Sequence, residues 1–375
     1  MEKVKKALSI FLKQSKVLLK KMQPSLIAIG IGVFFGFVVM LIFNPSGAFS
    51  GLLRIILGGF AQGTKGVGDV LFHATPIILT GLALVVAFKT GLFNIGASGQ
   101  MIVGGYVAAH IGVLWTLPSP FHWMIAILLG TLAGAFWGSI PGILKAVSNT
   151  NEVVVTIMMN YIGTLLVIYL VKQNILNSLV GKSRNIQATA ALPRLGAFFG
   201  SSSVHVGIII AIVMAIVIHI LMHKTTLGFQ LQSSGFNKPG SQYAGMNAKK
   251  NIITSMIISG GLAGLAGTMS YLVIGSNIDT AVYLLPAGFD GISVALLGLG
   301  EPIGALFAGL FLSHIRQGGF YMQLDGFVPQ IIDMIIAIIV YVTAISAGIQ
   351  LYLKSLKEKR KDKIAKSSTV KEDDL

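Results

Sequence analysis

The stretch KTTLGFQLQSSGFNKPGSQYAGMNAKK, residues 224–250, is a long polar interruption in an otherwise oily chain. It carries four lysines and no acid. One apolar run ends at about Met222 and the next begins at Asn251. Runs of about 20 apolar residues match a hydrocarbon layer of roughly 30 Å, whereas barrel strands would alternate in segments of about ten. The chain therefore reads as an all-α, polytopic helical membrane protein, with 224–250 as a loop at one face. Within the loop, Pro239-Gly240-Ser241-Gln242-Tyr243-Ala244-Gly245 has an early proline and a Ser/Gln first turn, followed by a glycine stop. A short helix held at a membrane face suggests a docking element. A plain solvated connector is the alternative.

Of the 375 residues, 54% are hydrophobic and 11% charged, against a soluble norm of about 25% charged, so an ordinary soluble domain is excluded. The net charge of +15 could suggest nucleic acid, but the lysines gather at the two ends. Lys3, Lys5, Lys6, Lys13, Lys16, Lys20 and Lys21 precede the first apolar run; Lys354, Lys357, Lys359, Arg360, Lys361, Lys363 and Lys366 follow the last. This is topology information of the positive-inside kind and implies no nucleic-acid partner. Both termini are expected to be cytoplasmic, which requires an even number of crossings. The domain reading is a basic, partly amphipathic leader at 1–23, a transmembrane domain at 24–353 with its cytoplasmic loop 224–250, and a charged tail at 354–375. The run Ser25 to Phe43 is long and lacks a small-residue cleavage pattern, so it reads as a retained span. With no cysteine, disulfides and thiolate metal sites are excluded.

Further spans are expected at about Val70 to Phe88, with His73 and a kink at Pro76; on to Leu114; and at His122 to Leu144, Glu152 to Val171, Val204 to Met222, Asn251 onward and Val328 to Leu353. Gly47 to Asp69 reads as a glycine-rich external segment with a short interfacial helix, and Lys172 to Ser203 as a long external loop. Gly130, Gly134, Gly138 and Gly142 recur every four residues, and Gly260, Gly261, Gly264 and Gly267 mark a second small-residue face. Such faces let helix backbones approach closely in lipid. Residues 289–313 read as two arms of ten or so residues hinged at Gly298 to Pro302, each too short to cross alone. The expected total is eight full spans plus one re-entrant pair, roughly ten membrane segments.

Candidate sites follow from polar residues in apolar surroundings. Gly181-Lys182-Ser183 lacks the glycine a phosphate loop needs five positions earlier, where Leu176 stands, so no nucleotide site is expected. His219 and His223 share a helix face but have no third ligand nearby in sequence, and read as interfacial histidines rather than metal ligands. Asp290 and Asp333 are intramembrane acids, a class that normally faces a bundle interior; each either serves a path or pairs structurally. Glu301 sits at the re-entrant hinge. Asn94, Gln100 and Asn160 can hydrogen-bond a polar cargo or glue helices together. No catalytic residue, metal or cofactor is expected, and the chain does not read as an enzyme.

The phrases GLFNIGASGQMIVGGY (91–106), NEVVVTIMMNYIG (151–163), GFQLQSSGFNKPGSQYAGMNAKK (228–250), SGGLAGLAG (259–267) and GFDGISVALLGLGEP (288–302) together resemble the permease subunits of ABC importers for sugars and nucleosides. This family is related to ribose and branched-chain amino acid permeases, and the chain looks most like nucleoside permeases that pair with a second, different permease. The resemblance implies a bacterial cytoplasmic-membrane importer working by alternating access. Cytoplasmic ABC ATPases would supply energy, and an extracellular substrate-binding lipoprotein would deliver a small molecule, a nucleoside or a ribose-like sugar. An ion-coupled secondary transporter is the reading from another class. Carried over by position, Gly235, Asn237, Pro239, Gln242, Tyr243, Ala244 and Gly245 would dock on the ATPase. Phe93, Asn94, Gln100, Asn160, Tyr161, Phe289 and Asp290 are the candidate path residues.

Overall fold

The computed structural model describes residues 27, 29–343 and 345. The basic leader 1–23 and the tail 354–375 lie outside them. The helices are α1 (Ile29–Phe43), α2 (Ala48–Leu57), α3 (Gly63–Lys89), α4 (Ala97–Leu114), α5 (Phe121–Ser148), α6 (Glu152–Asn174), α7 (Gly207–Lys224), α8 (Thr226–Phe236), α9 (Lys238–Tyr243), α10 (Ala248–Tyr271), α11 (Pro286–Leu297), α12 (Pro302–Met322) and α13 (Pro329–Thr343). Strand among the described residues is limited to a two-residue antiparallel pair, with Leu176 opposite Ser183 and Asn177 opposite Lys182. Six helical segments among them are long and apolar enough to cross a membrane: Ala48–Lys89, α4, α5, α6, α7 and α10. The all-α polytopic reading therefore holds.

The chain divides into two compact units, Met1–Phe49 with Gly326–Leu375, and Ser50–Asp325. In the first, α1 and α13 meet where small residues allow it: a Cβ on Gly36 would lie 2.6 Å from the Ile335 side chain. Asp333 lies on α13.

In the second unit the two glycine faces find each other. A Cβ on Gly138 of α5 would sit 2.6 Å from the Met256 carbonyl oxygen of α10. One on Gly104 of α4 would sit 2.6 Å from the Cα of Gly264. The backbones of α4, α5 and α10 are thus in direct contact, which only hydrogen at Cα permits; dispersion between such close backbones replaces the hydrophobic drive that lipid removes. Against this group lies α3, packed on α10, α11 and α12. It is buried continuously from Ile77 to Ala87, as a helix apolar on every side must be.

Two boundary expectations are corrected. Span two begins at Gly63 rather than Val70, because the helix continues through Gly66 and Gly68 where Cβ-free positions let Gly59 and Phe199 approach. The presumed re-entrant pair is unequal: α11 has 12 residues and α12 has 21. At about 1.5 Å per residue α12 is some 31 Å long, well beyond an arm of ten residues, although it is not among the six segments that are both long and apolar enough to cross. The turn between them is tight, with Leu299 and Gly300 both at positive φ (56° and 66°) and the Gly300 N–H donating to the Ala295 carbonyl at 2.8 Å.

At the end of the bundle opposite the 224–250 loop, the 172–203 segment is pinned to residues 277–279. Lys182 pairs with Asp279 at 3.2 Å, and Asn277 Nδ2 donates to the Ser183 carbonyl at 2.7 Å. The N–H of Ala281 and then Lys182 hold the Asp279 carboxyl below its usual range.

Candidate functional site

The 224–250 loop is built as two helices. Thr225 caps the first, its hydroxyl accepting the Gly228 N–H at 3.1 Å. This helix, α8, was not legible in the sequence: Gly228, Ser233, Ser234 and Gly235 are weak helix formers that dilute the pattern. Asn237 then caps α9, its Oδ1 accepting the Gly240 N–H at 3.0 Å. Pro239 lies in the first turn and Gly245 closes the segment at φ 80°. The helix expected between Pro239 and Gly245 is therefore present, as Lys238–Tyr243.

Tertiary bonds stiffen the pair. Asn251 of α10 donates to the Gln230 carbonyl at 3.2 Å and to Ser234 Oγ at 2.7 Å. Gln232 Nε2 donates to the Met222 carbonyl at 2.6 Å. Gly235 presses on the turn that ends α3: a Cβ there would lie 2.5 Å from the Lys89 carbonyl oxygen and 2.7 Å from the Gly91 nitrogen. The backbone of α8 is therefore in direct contact with the end of α3. Pro239, Gln242, Ala244 and Gly245 are exposed, and Tyr243 is 95% exposed. So is Phe236, at 96%, an aromatic that sequence reasoning missed. Fully exposed aromatic rings on a rigid polar element are the kind of anchor that protein interfaces use. A cavity of about 790 Å³ lies beside them, bounded by Phe88, Phe229, Phe236 and Ala244.

The amides Asn94, Gln100 and Asn160 are all buried and gather around the non-helical segment between α3 and α4. Asn94 Nδ2 donates to Gln100 Oε1 at 2.9 Å and to Ser259 Oγ at 2.8 Å. Asn160 Oδ1 accepts the Gly99 N–H at 2.8 Å, and its Nδ2 donates to the Ile95 carbonyl at 3.0 Å. These bonds satisfy irregular backbone that lipid could not. Phe93 stacks on Phe88, with centroids 5.1 Å apart. Tyr161 is half exposed on α6, and Phe289 is part-buried on α11.

Asp290 lies elsewhere. It lines a cavity of about 450 Å³ between the first half of α3, the first turns of α11 and the last turns of α12, with Asp69, His73, Arg316, Gln317 and Phe320. Arg316 Nη2 donates to Asp290 Oδ1 at 2.5 Å. Arg316, Gln317 and Phe320 fall beyond residue 313, where the sequence reading ended the second arm; the available signal was a lone arginine in an apolar helix. The cavity occupies the half of the bundle away from the 224–250 loop, and α3 joins the two.

At the loop end, Glu301 gathers two partners. Its carboxylate takes Lys89 Nζ at 2.6 Å and His223 Nε2 at 3.1 Å. His219, His223 and Glu301 offer ligand atoms within 4.8 Å of one another, so the third group that the sequence did not place comes from the α11–α12 turn. Lys89 already occupies one carboxylate oxygen, and the cluster ties the ends of α3, α7 and the turn together.

Comparison with known proteins adds to this geometry. The family profile described as branched-chain amino acid transport system / permease component matches residues 66–344. The chain belongs to this permease family. It is thus a multi-pass cell-membrane subunit of an ABC transporter and not an enzyme. It is 40% identical over 339 residues to the guanosine ABC transporter permease protein NupP of Bacillus subtilis, covering 89% of this chain and 96% of that one. It is 35% identical over 348 residues to the nucleoside ABC transporter permease protein NupB of Lactococcus lactis, covering 90% and 94%. Against the glucose ABC transporter permease protein TsgB13 of Haloferax volcanii it is 30% identical over 286 residues, covering 73% and 75%. No solved structure matches the chain.

Proposed function

We propose that this chain is one permease subunit of an ATP-driven importer of nucleosides. The observation that carries the reading is identity of 40% and 35% across nearly the whole length of permeases named for guanosine and nucleosides. In the proposed orientation the termini and the 224–250 loop face the cytoplasm. Gly235, Asn237, Pro239, Gln242, Tyr243, Ala244 and Gly245, joined by Phe236, dock on a cytoplasmic ATPase. Its closure moves α8 against the Lys89–Gly91 turn and so drives α3, whose far half lines the polar cavity. A second permease completes the path, and an extracellular binding lipoprotein supplies substrate. The path takes in Phe93, Asn94, Gln100, Asn160, Tyr161, Phe289 and Asp290.

Simple-sugar import is the second reading, favoured by the 30% identity to a glucose permease. The test is uptake of labelled guanosine, uridine and ribose by cells lacking the chain and by cells with it restored. Restored guanosine uptake without ribose uptake is expected. Ribose uptake alone would transfer the assignment to the second reading.

A further inference from the structure

The cavity between α3, α11 and α12 holds opposite charges in an otherwise apolar layer. Asp290 is buried and bonded to Arg316, Asp69 and His73 stand on α3 one turn apart, and Pro76, Ile77 and Ala287 supply apolar wall. Charge within a membrane is costly, so a site that keeps three charged groups together has more to explain than packing. At about 450 Å³ it falls in the range of small-molecule sites and admits a ligand of roughly 20 non-hydrogen atoms. It also adjoins the start of a helix of 12 residues whose first turn meets α3 part-way along its length, where the Thr80 hydroxyl donates to the Ala287 carbonyl at 2.8 Å.

We infer that this cavity binds the base of a neutral purine nucleoside, with Asp290 and Arg316 reading its edge and Phe320 stacking on its face. The inference rests on the proposed nucleoside reading and names the residues that would carry specificity. A guanidinium donates to the O6 and N7 acceptors of guanine, and a carboxylate accepts from ring and exocyclic N–H groups. A joined guanidinium and carboxylate present donor beside acceptor, which is the complement of the guanine edge. The Phe320 ring, 63% exposed, offers a π-face that needs no particular base. Gln317, which donates to Tyr321 Oη at 2.9 Å, and His73 are placed for ribose hydroxyls. With Asp69 and Asp290 against Arg316, the lining holds more carboxyl groups than guanidinium groups, an arrangement that suits an uncharged nucleoside better than a nucleotide phosphate.

The experiment uses the complete transporter in proteoliposomes with its lipoprotein, measuring uptake from equal mixtures of guanosine and inosine together with ATP hydrolysis. Inosine lacks the 2-amino group. Asp290→Asn is expected to lower the guanosine to inosine uptake ratio by about tenfold, the worth of one hydrogen bond to a charged group. Phe320→Ala, outside the ion pair and so safe for folding, is expected to lower guanosine uptake per ATP hydrolysed by about tenfold, the worth of one stacked base. If wild-type transporter moves no nucleoside, the underlying reading fails. If wild type moves guanosine but Asp290→Asn lowers both substrates equally, or Phe320→Ala leaves uptake per ATP unchanged, the cavity is structural and the inference is overturned. Should Asp290→Asn fail to assemble, Phe320→Ala decides alone.

Discussion

Gly235→Ala is the sharpest perturbation of the link between the loop and the bundle. The added Cβ would lie 2.5 Å from the Lys89 carbonyl oxygen, 2.6 Å from the Thr90 carbonyl carbon and 2.7 Å from the Gly91 nitrogen. All three are backbone atoms, so no rotamer change relieves the overlap. A comfortable carbon–oxygen approach is about 3.3 Å or more, so α8 must retreat by roughly 0.8 Å. Overpacking of this kind costs about 1–3 kcal/mol, which lowers the population of the seated arrangement by roughly 5- to 150-fold. Gly245→Ala is the contrast: nothing lies within 4 Å of its Cβ position, so only the φ of 80° is strained, at about 1–2 kcal/mol. The assay is guanosine uptake and ATP hydrolysis by the reconstituted transporter. Gly235→Ala is expected to keep ATP hydrolysis and lose most uptake, an uncoupled phenotype. Wild-type uptake in Gly235→Ala would refute the claim that α8 drives α3.

Tyr243→Asp combined with Phe236→Asp removes two almost fully exposed rings, so the thermal midpoint of the isolated permease should stay within about 2 °C while ATPase co-purification is lost. Gly264→Val places methyls where a Cβ would already lie 2.7 Å from the Gly134 Cα; a loss of about 3 kcal/mol or failure to fold is expected in detergent melts. Glu301→Gln breaks pairs whose carboxylate is 44% exposed, so stability should fall by less than about 1 kcal/mol. Burial, with a smaller contribution from Arg194, lowers the pKa of His205 from 6.5 to about 4. The neutral ring accepts the Gly207 N–H through Nδ1 at 3.0 Å. The unfolded chain binds this proton first, so the contribution is full above pH 6.5 and is lost between 6.5 and about 4, roughly 3 kcal/mol in all. Proteolysis of the 172–206 segment should rise across that window and much less in His205→Asn, whose amide oxygen can accept the same bond without titrating.

Much of this was legible because lipid leaves few options. Apolar runs long enough to span it had to be helices, and glycines four apart on α5 had to be a contact face. Asn237, Pro239 and Gly245 spelled a helix start and stop by local chemistry alone. What failed to show depended on the third dimension. Phe236 reads as an ordinary apolar residue until α8 turns it outward. Arg316 reaches Asp290 only because α12 continues past Ser313, and a hinge with arms of ten residues was the simpler reading of the hydropathy. The amides Asn94, Gln100 and Asn160 were visible as polar residues in oil, but their gathering around one irregular turn depends on α4, α6 and α10 meeting there. His219 and His223 likewise looked isolated until the α11–α12 turn brought Glu301 to them.

The most direct test of the account is the initial rate of labelled guanosine uptake into proteoliposomes holding the complete transporter, with ATP or a non-hydrolysable analogue on the ATPase side. The account predicts uptake with ATP only, and its loss when Tyr243 and Phe236 are replaced by aspartate. Uptake that proceeds with the analogue, or that survives in the double variant, would contradict it.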